Sequence, residues 1–375
     1  MVVFAAAVTL GNAGAAQLDP VLAVVLGEDK RRSGDAAAVG SGGVRCSAGV
    51  CGMVASRWRI EVRDADSTAM IQQDVTQGVG HTPLVALGRV GRGLPGRILA
   101  KLEMRNPCGS VKDRLAVALI DAAEQAGRLA PGATLVEATG GNTGIGLAFV
   151  AAVRGYRLVV TMPENMSRER TALLRHLGAE VRLTPGILMT DAVALARQLA
   201  SEIPGAVLLD QFSNQANPEV HRRTTAPELW HDSGGDIDCF VSAVGTGGTI
   251  TGVGEVLKRL KPSIRVVGVE PQGAAVLSGG TPGPHQMPGI GVGFVPAVLN
   301  RALLDEIIVV SDDDAFDGAR RLAREEGILC GVSSGAALVA ALRIAARPES
   351  EGKTIVILLA DTGERYLRTA LFERG

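Results

Sequence analysis

The stretch NPCGSVKDR, Asn106 to Arg114, puts a lysine where a lysine is badly placed. Ser110 followed three residues later by Asp113 reads as a capping box, so a helix is expected to start here and run through LAVALIDAAEQAG to Gly127. Lys112 then sits in the first turn, where unpaired backbone N–H groups and the positive end of the helix dipole repel a cation. That field, with Arg114 two residues on, would depress the pKa of the amine. A neutral lysine is a nucleophile and forms Schiff bases with carbonyl compounds. The plain alternative is a side chain that swings into solvent, at a cost of roughly a few tenths of a kcal/mol. Lys112 alone does not decide between them.

Two glycine loops add a second kind of chemistry. SAVGTGGTITGVG (242–254) follows an expected strand and opens a helix. It fails the dinucleotide fingerprint, because Ile250 stands in the place of the third glycine, and it fails the Walker A pattern, because no lysine follows the glycines. Small residues with free N–H groups at a helix start, plus the hydroxyls of Thr246 and Thr249, suit a single phosphate monoester. A tight turn with packing glycines is an equal alternative for this loop taken alone. EATGGNTGIGLA (137–148) is a second strand-to-helix loop of like composition. Two such loops together with Lys112 favour a phosphorylated cofactor that bridges a cleft.

The elements that must position these residues alternate along the chain. Strands are expected at 97–104, 134–138, 157–162, 180–184, 239–244, 265–270, 306–310 and 354–360, with helices such as SRERTALLRHLG, DAVALARQLASEI and DDAFDGARRLAREEG between them. This alternation predicts an α/β protein of two domains, each a mostly parallel twisted sheet flanked by helices. The two groups of four strands separate near residues 210–235. The domains are placed at 70–217 and 218–375, with 73–104 free to pack with the other domain, and ligands are expected in the cleft between them. Residues 1–69 show no sustained period and are read as a disordered N-terminal extension or an upstream start assigned in error.

Composition excludes several partners. A net charge of −1 gives no electrostatic reason to expect nucleic acid or an anionic membrane, and 3% aromatic residues offer little for base stacking. No apolar run approaches the roughly 20 residues of a membrane-spanning helix. The five cysteines lack metal-ligand spacing, and their sparse, odd count fits a reducing compartment, hence a cytoplasmic protein with no metal. His81, His176, His221, His231 and His285 show no triad or metal spacing and read as surface or core histidines.

With these residues in view, the chain closely resembles the cysteine synthase (O-acetylserine sulfhydrylase) family, pyridoxal phosphate enzymes of the tryptophan synthase β-subunit type, or fold type II. The landmarks run from 77 to 372: GHTPLVAL, KLEMRNPCGSVKDR, TGGNTGIGLA, TMPENMSRER, DQFSNQANPEVHRRTTAPELW, VGTGGTITG, GPHQMPGIGVGFVP, EEGILCGVSSGAA and GERYLRTALF. The resemblance implies that Lys112 carries the cofactor as an internal aldimine and then moves the proton at the substrate α-carbon. It implies that Gly245, Thr246, Gly247, Gly248 and Thr249 hold the phosphate, that Asn142 bonds the ring 3′-oxygen, and that Ser333 faces the pyridine nitrogen. Thr139, Gly140, Gly141, Thr143 and Gln211 would form the site for the substrate α-carboxylate, with the 139–143 loop closing over it. A hydroxyl at Ser333 leaves the pyridine nitrogen largely neutral, which favours prompt loss of a β-leaving group over racemisation or transamination.

The implied reaction is a β-replacement that makes L-cysteine from O-acetyl-L-serine and sulfide through an aminoacrylate intermediate, in a homodimer able to bind serine acetyltransferase. Two departures bear on substrate choice. Gly140 stands where most relatives have Ser, and Asp361-Thr362 replaces the usual Ser-Ser or Ser-Phe before GERYL. An acid at 361 resembles the second cysteine synthase type, which accepts other sulfur donors, so O-phosphoserine and thiosulfate stay open as substrates. Cystathionine β-synthase is a rival within the family; a non-catalytic partner of serine acetyltransferase is a rival of another class.

Overall fold

Buried apolar strands set the architecture of the computed structural model, which describes residues 71–186 and 189–373. The expected N-terminal extension therefore lies outside the described residues. The strands are β1 (Leu84–Ala86), β2 (Arg97–Leu102), β3 (Thr134–Ala138), β4 (Arg157–Pro163), β5 (Glu180–Thr184), β6 (Val207–Leu208), β7 (Cys239–Ala243), β8 (Arg265–Pro271), β9 (Glu306–Val310) and β10 (Thr354–Leu359). They form a six-stranded sheet in the order β1-β2-β10-β7-β8-β9 and a four-stranded sheet in the order β5-β4-β3-β6. Every pairing is parallel except β1 with β2. Parallel strands covered on both faces read as unbroken apolar runs, as TIVILL in β10 does. Alternate residues of the larger sheet enter opposite cores. Ile98, Ala100, Ile355 and Ile357 pack on one side, and Leu99, Val356 and Leu358 on the other.

The strand grouping differs from the expected four and four. Strand β2 lies beside β10, with Ile98 opposite Ile355, although more than 250 residues of chain separate them. It joins the sheet of the C-terminal strands because its Ile98, Leu99 and Ala100 are buried and need a covered interior position. Two short strands, β1 and β6, escape the sequence pattern because three and two residues carry no period.

This topology brings three strand ends together. After β10 the chain reaches Ala360, whose carbonyl accepts from the Val111 N–H at 2.9 Å, and Asp361 bridges to Ser110. The start of the Lys112–Gln125 helix is thereby tied to the C-terminal end of β10. The ends of β3 and β7 supply the two glycine loops.

Candidate active site

A cavity of about 500 Å³ opens where those ends meet. Lys112, Thr139, Gly140, Gly141, Asn142, Thr143, Gln211, Gly245, Thr246, Gly247, Thr249 and Ser333 all line it. Gly248 does not; it is buried as the first residue of the Gly248–Leu260 helix.

Lys112 opens its helix as expected, but the capping box is altered. The Ser110 hydroxyl accepts from the Lys112 N–H at 3.2 Å, whereas the Asp113 carboxylate reaches past Ser110 to accept from the Cys108 N–H at 2.6 Å. Burial lowers the pKa of Lys112, and the Asp361 carboxylate opposes that shift. Arg114 is not the cause, contrary to the expectation from its spacing. Its guanidinium is buried and turned to Glu103 at 2.8 Å and Glu228 at 2.7 Å. Burial also pushes the Asp113 carboxyl up to about 7.

The first glycine loop leads into the Asn142–Arg154 helix, which has no side-chain cap and no acid in its first turn. Thr143 donates to Gln211 Oε1 at 2.7 Å, and the Thr139 hydroxyl accepts from the Gly141 N–H at 3.2 Å. A Cβ at Gly140 would lie 2.6 Å from Met166 Sδ, so Met166 fills the space that a serine side chain would need. Arg170 Nη1 donates to the Gly140 carbonyl at 3.3 Å. Beneath Gln211, the Glu137 carboxylate accepts from the Gln211 N–H at 3.3 Å, and burial pushes its pKa up to about 8.

The second loop is packed until only glycine fits. A Cβ at Gly245 would fall 2.2 Å from the Gly289 carbonyl oxygen, and one at Gly248 would fall 1.8 Å from Asn217 Oδ1. Gly247 has φ +84°, in the left-handed region that favours glycine. Asn217 ties the second loop to the segment after β6, donating to the Gln211 carbonyl at 2.8 Å and to Thr246 Oγ1 at 2.9 Å. His221, in a single π-helical turn, lies 3.1 Å from Thr249 Oγ1 through Nε2 and 2.9 Å from Thr225 Oγ1 through Nδ1. Burial, with Arg114 and Lys112 nearby, lowers its pKa well below the usual histidine value, so it is neutral.

Sequence reasoning missed three of these residues. His221 is a core histidine as expected, yet it supports the second glycine loop through Thr249, and His285 lines the cavity itself. Asn217 carried no signal, because a lone asparagine has no spacing to read. At the remaining wall, Ser334 Oγ accepts from the Ala360 N–H at 3.0 Å and is buried, which leaves Ser333 as the hydroxyl facing the cavity. Asp361 is buried there and accepts from Asn142 Nδ2 at 2.7 Å and from the Tyr366 hydroxyl at 2.6 Å.

A family profile described as pyridoxal-phosphate dependent enzyme matches residues 75–361. A cysteine synthase of Staphylococcus aureus (strain Mu50) is 51% identical over 301 residues, which is 80% of this chain and 96% of that relative. The chain belongs to the cysteine synthases, within the pyridoxal-phosphate dependent enzymes. Cysteine synthase from Entamoeba histolytica superposes with a TM-score of 0.79 at 44% identity, covering 82% of this chain and 92% of that one. An O-ureido-L-serine synthase gives a TM-score of 0.78 at 44% identity, covering 81% and 96%. A hydrogen sulfide-producing enzyme from Fusobacterium nucleatum gives 0.76 at 40%, covering 79% and 100%.

The fold is that of the fold type II enzymes, and the cofactor is pyridoxal phosphate. The cavity suits it on physical grounds. Its lining joins an amine with lowered pKa, a glycine loop with hydroxyls at a helix start without acids, and a hydroxyl on the facing wall. Among the described residues no helix is long and apolar enough to cross a membrane.

Proposed function

We propose that this enzyme makes L-cysteine from O-acetyl-L-serine and sulfide by β-replacement. What supports the reading is the convergence, on one cavity, of Lys112, the Thr139–Thr143 loop with Gln211, the 245–249 loop and Ser333. When bound, pyridoxal phosphate withdraws electrons from the α-carbon of the amino acid it holds. Lys112 holds the cofactor, and its free amine then takes the α-proton and later returns one. Thr139, Gly140, Gly141, Thr143 and Gln211 orient the α-carboxylate, the threonine-glutamine pair being already bonded to each other. Backbone N–H groups of Gly245 to Thr249 and the two threonine hydroxyls hold the phosphate, and Gly248 keeps Asn217 close enough to brace the loop. Asn142 faces the ring oxygen and Ser333 the pyridine nitrogen. Loss of acetate before sulfide enters gives two half-reactions and ping-pong kinetics.

A second reading, β-replacement with another donor or acceptor, is favoured by Asp361 on the cavity wall and by the absence of a hydroxyl at Gly140. Structural relatives named for O-ureido-L-serine synthesis and for hydrogen sulfide production point the same way. The assembly read from the family resemblance is a cytoplasmic homodimer whose cleft can take serine acetyltransferase. The deciding assay offers O-acetylserine, O-phosphoserine and serine, each with sulfide, thiosulfate and homocysteine. Cysteine formation fastest from O-acetylserine and sulfide is expected. Fastest turnover with homocysteine, or none with any pair, contradicts the proposal.

A further inference from the structure

Asn142 borders the cavity with both ends of its amide engaged. Nδ2 donates to Asp361 Oδ2 at 2.7 Å, and Oδ1 accepts from Arg365 Nη1. A carboxamide offers one carbonyl oxygen and two N–H donors. With the carbonyl taken by a guanidinium and one N–H by a carboxylate, the group left over is the second N–H. The flipped amide would set its carbonyl against a carboxylate and its NH₂ against a guanidinium, which leaves both charged partners without a complementary bond. Both partners are anchored in turn. Asp361 also accepts from the Tyr366 hydroxyl at 2.6 Å, and its backbone bridges to Ser110. Arg365 donates through Nη2 to the Cys108 carbonyl.

We infer that Asp361 and Arg365 are positioning residues that fix the flip of the Asn142 amide, so that it offers the cofactor ring oxygen a donor and never the carbonyl. The inference rests on the reading that Asn142 faces that oxygen. A donor stabilises negative charge on the oxygen, whereas a carbonyl turned toward it repels that charge. Releasing the flip should therefore change both the electronic state of the bound cofactor and its residence time. The acid that departs from the family pattern at position 361 gains a role in this way, one that acts through Asn142.

The test is a double-mutant cycle on the purified holoenzyme with Asp361→Ala, Asn142→Ala and both together. It reads the visible absorption maximum of the resting enzyme and the rate at which cofactor is lost to a scavenger. Asp361→Ala is expected to shift the band and speed cofactor loss about three- to tenfold, the scale of one hydrogen bond. In the Asn142→Ala background the same change should add nothing. Equal effects of Asp361→Ala in both backgrounds, or no effect in either, overturn the inference while the reading of Asn142 survives. If Asn142→Ala alone leaves both readouts native, Asn142 does not face the ring, and that reading falls together with the inference. Should Asp361→Ala fail to fold, Arg365→Met runs the same cycle from the carbonyl side.

Discussion

Two helices of the larger sheet start in opposite ways. Gly248–Leu260, after β7, has glycine at its N-cap, no side-chain cap and no acid in its first turn. Asp312–Glu326, after β9, is capped by Ser311, whose hydroxyl accepts from the Asp314 N–H at 3.1 Å, and carries Asp312, Asp313 and Asp314 in its first turn. The second start is satisfied from within the chain, by a cap and by negative charge on the dipole. The first has neither, which leaves a positive field of the kind the proposed phosphate site requires. Two buried acids behind the cavity wall are held toward the neutral form, since burial pushes Glu137 to about 8 and Asp113 to about 7.

Exchanging the two characters should break the comparison. Thr249→Asp puts a carboxylate in the first turn of the ligand-facing helix, where it would repel the phosphate. At about 4 Å and an effective dielectric near 20 the repulsion is on the order of 4 kcal/mol, so cofactor affinity should fall about a thousandfold. Equilibrium dialysis against pyridoxal phosphate measures this; an affinity within tenfold of native would show that the phosphate lies elsewhere. Ser311→Ala, at the other helix, should cost about 1 kcal/mol of stability in urea titration and leave cofactor content unchanged.

Glu137 gives a smaller, pH-dependent contrast. Its folded pKa of about 8 stands above the ordinary glutamate value of 4.5. The folded state therefore binds the proton more tightly than the unfolded one, so this contribution to stability is full below about 4.5 and is lost as pH rises to about 8. Glu137→Gln removes the loss. Relative to the native protein, the variant should gain stability between pH 5 and pH 9, on the order of 4 kcal/mol. A constant difference across that range would mean that Glu137 is ionised throughout.

Features carried by local pattern were legible in the sequence. Long strands such as TIVILL, the glycine loops and the lysine at a helix start could be read because each is set by neighbours a few residues away. Features set by distant partners were not. Nothing within Arg97–Leu102 says that it will lie beside Thr354–Leu359. Arg114 looked like the cause of the shift at Lys112 because only their spacing was visible; Glu228, which turns it away, is 114 residues on. The Asp361–Asn142 bond spans 219 residues, so position 361 could be flagged as unusual without its partner being known.

Lys112, first residue of its helix and lowered in pKa by burial, is the residue proposed to hold the cofactor. Borohydride reduction of the native holoenzyme fixes the cofactor covalently to the amine that carries it, and peptide mapping then locates the tag. A single tagged peptide is expected, modified at Lys112 within NPCGSVKDR, and no tag in Lys112→Ala. A tag on Lys101, Lys258 or any other lysine, with Lys112 unmodified, would contradict it.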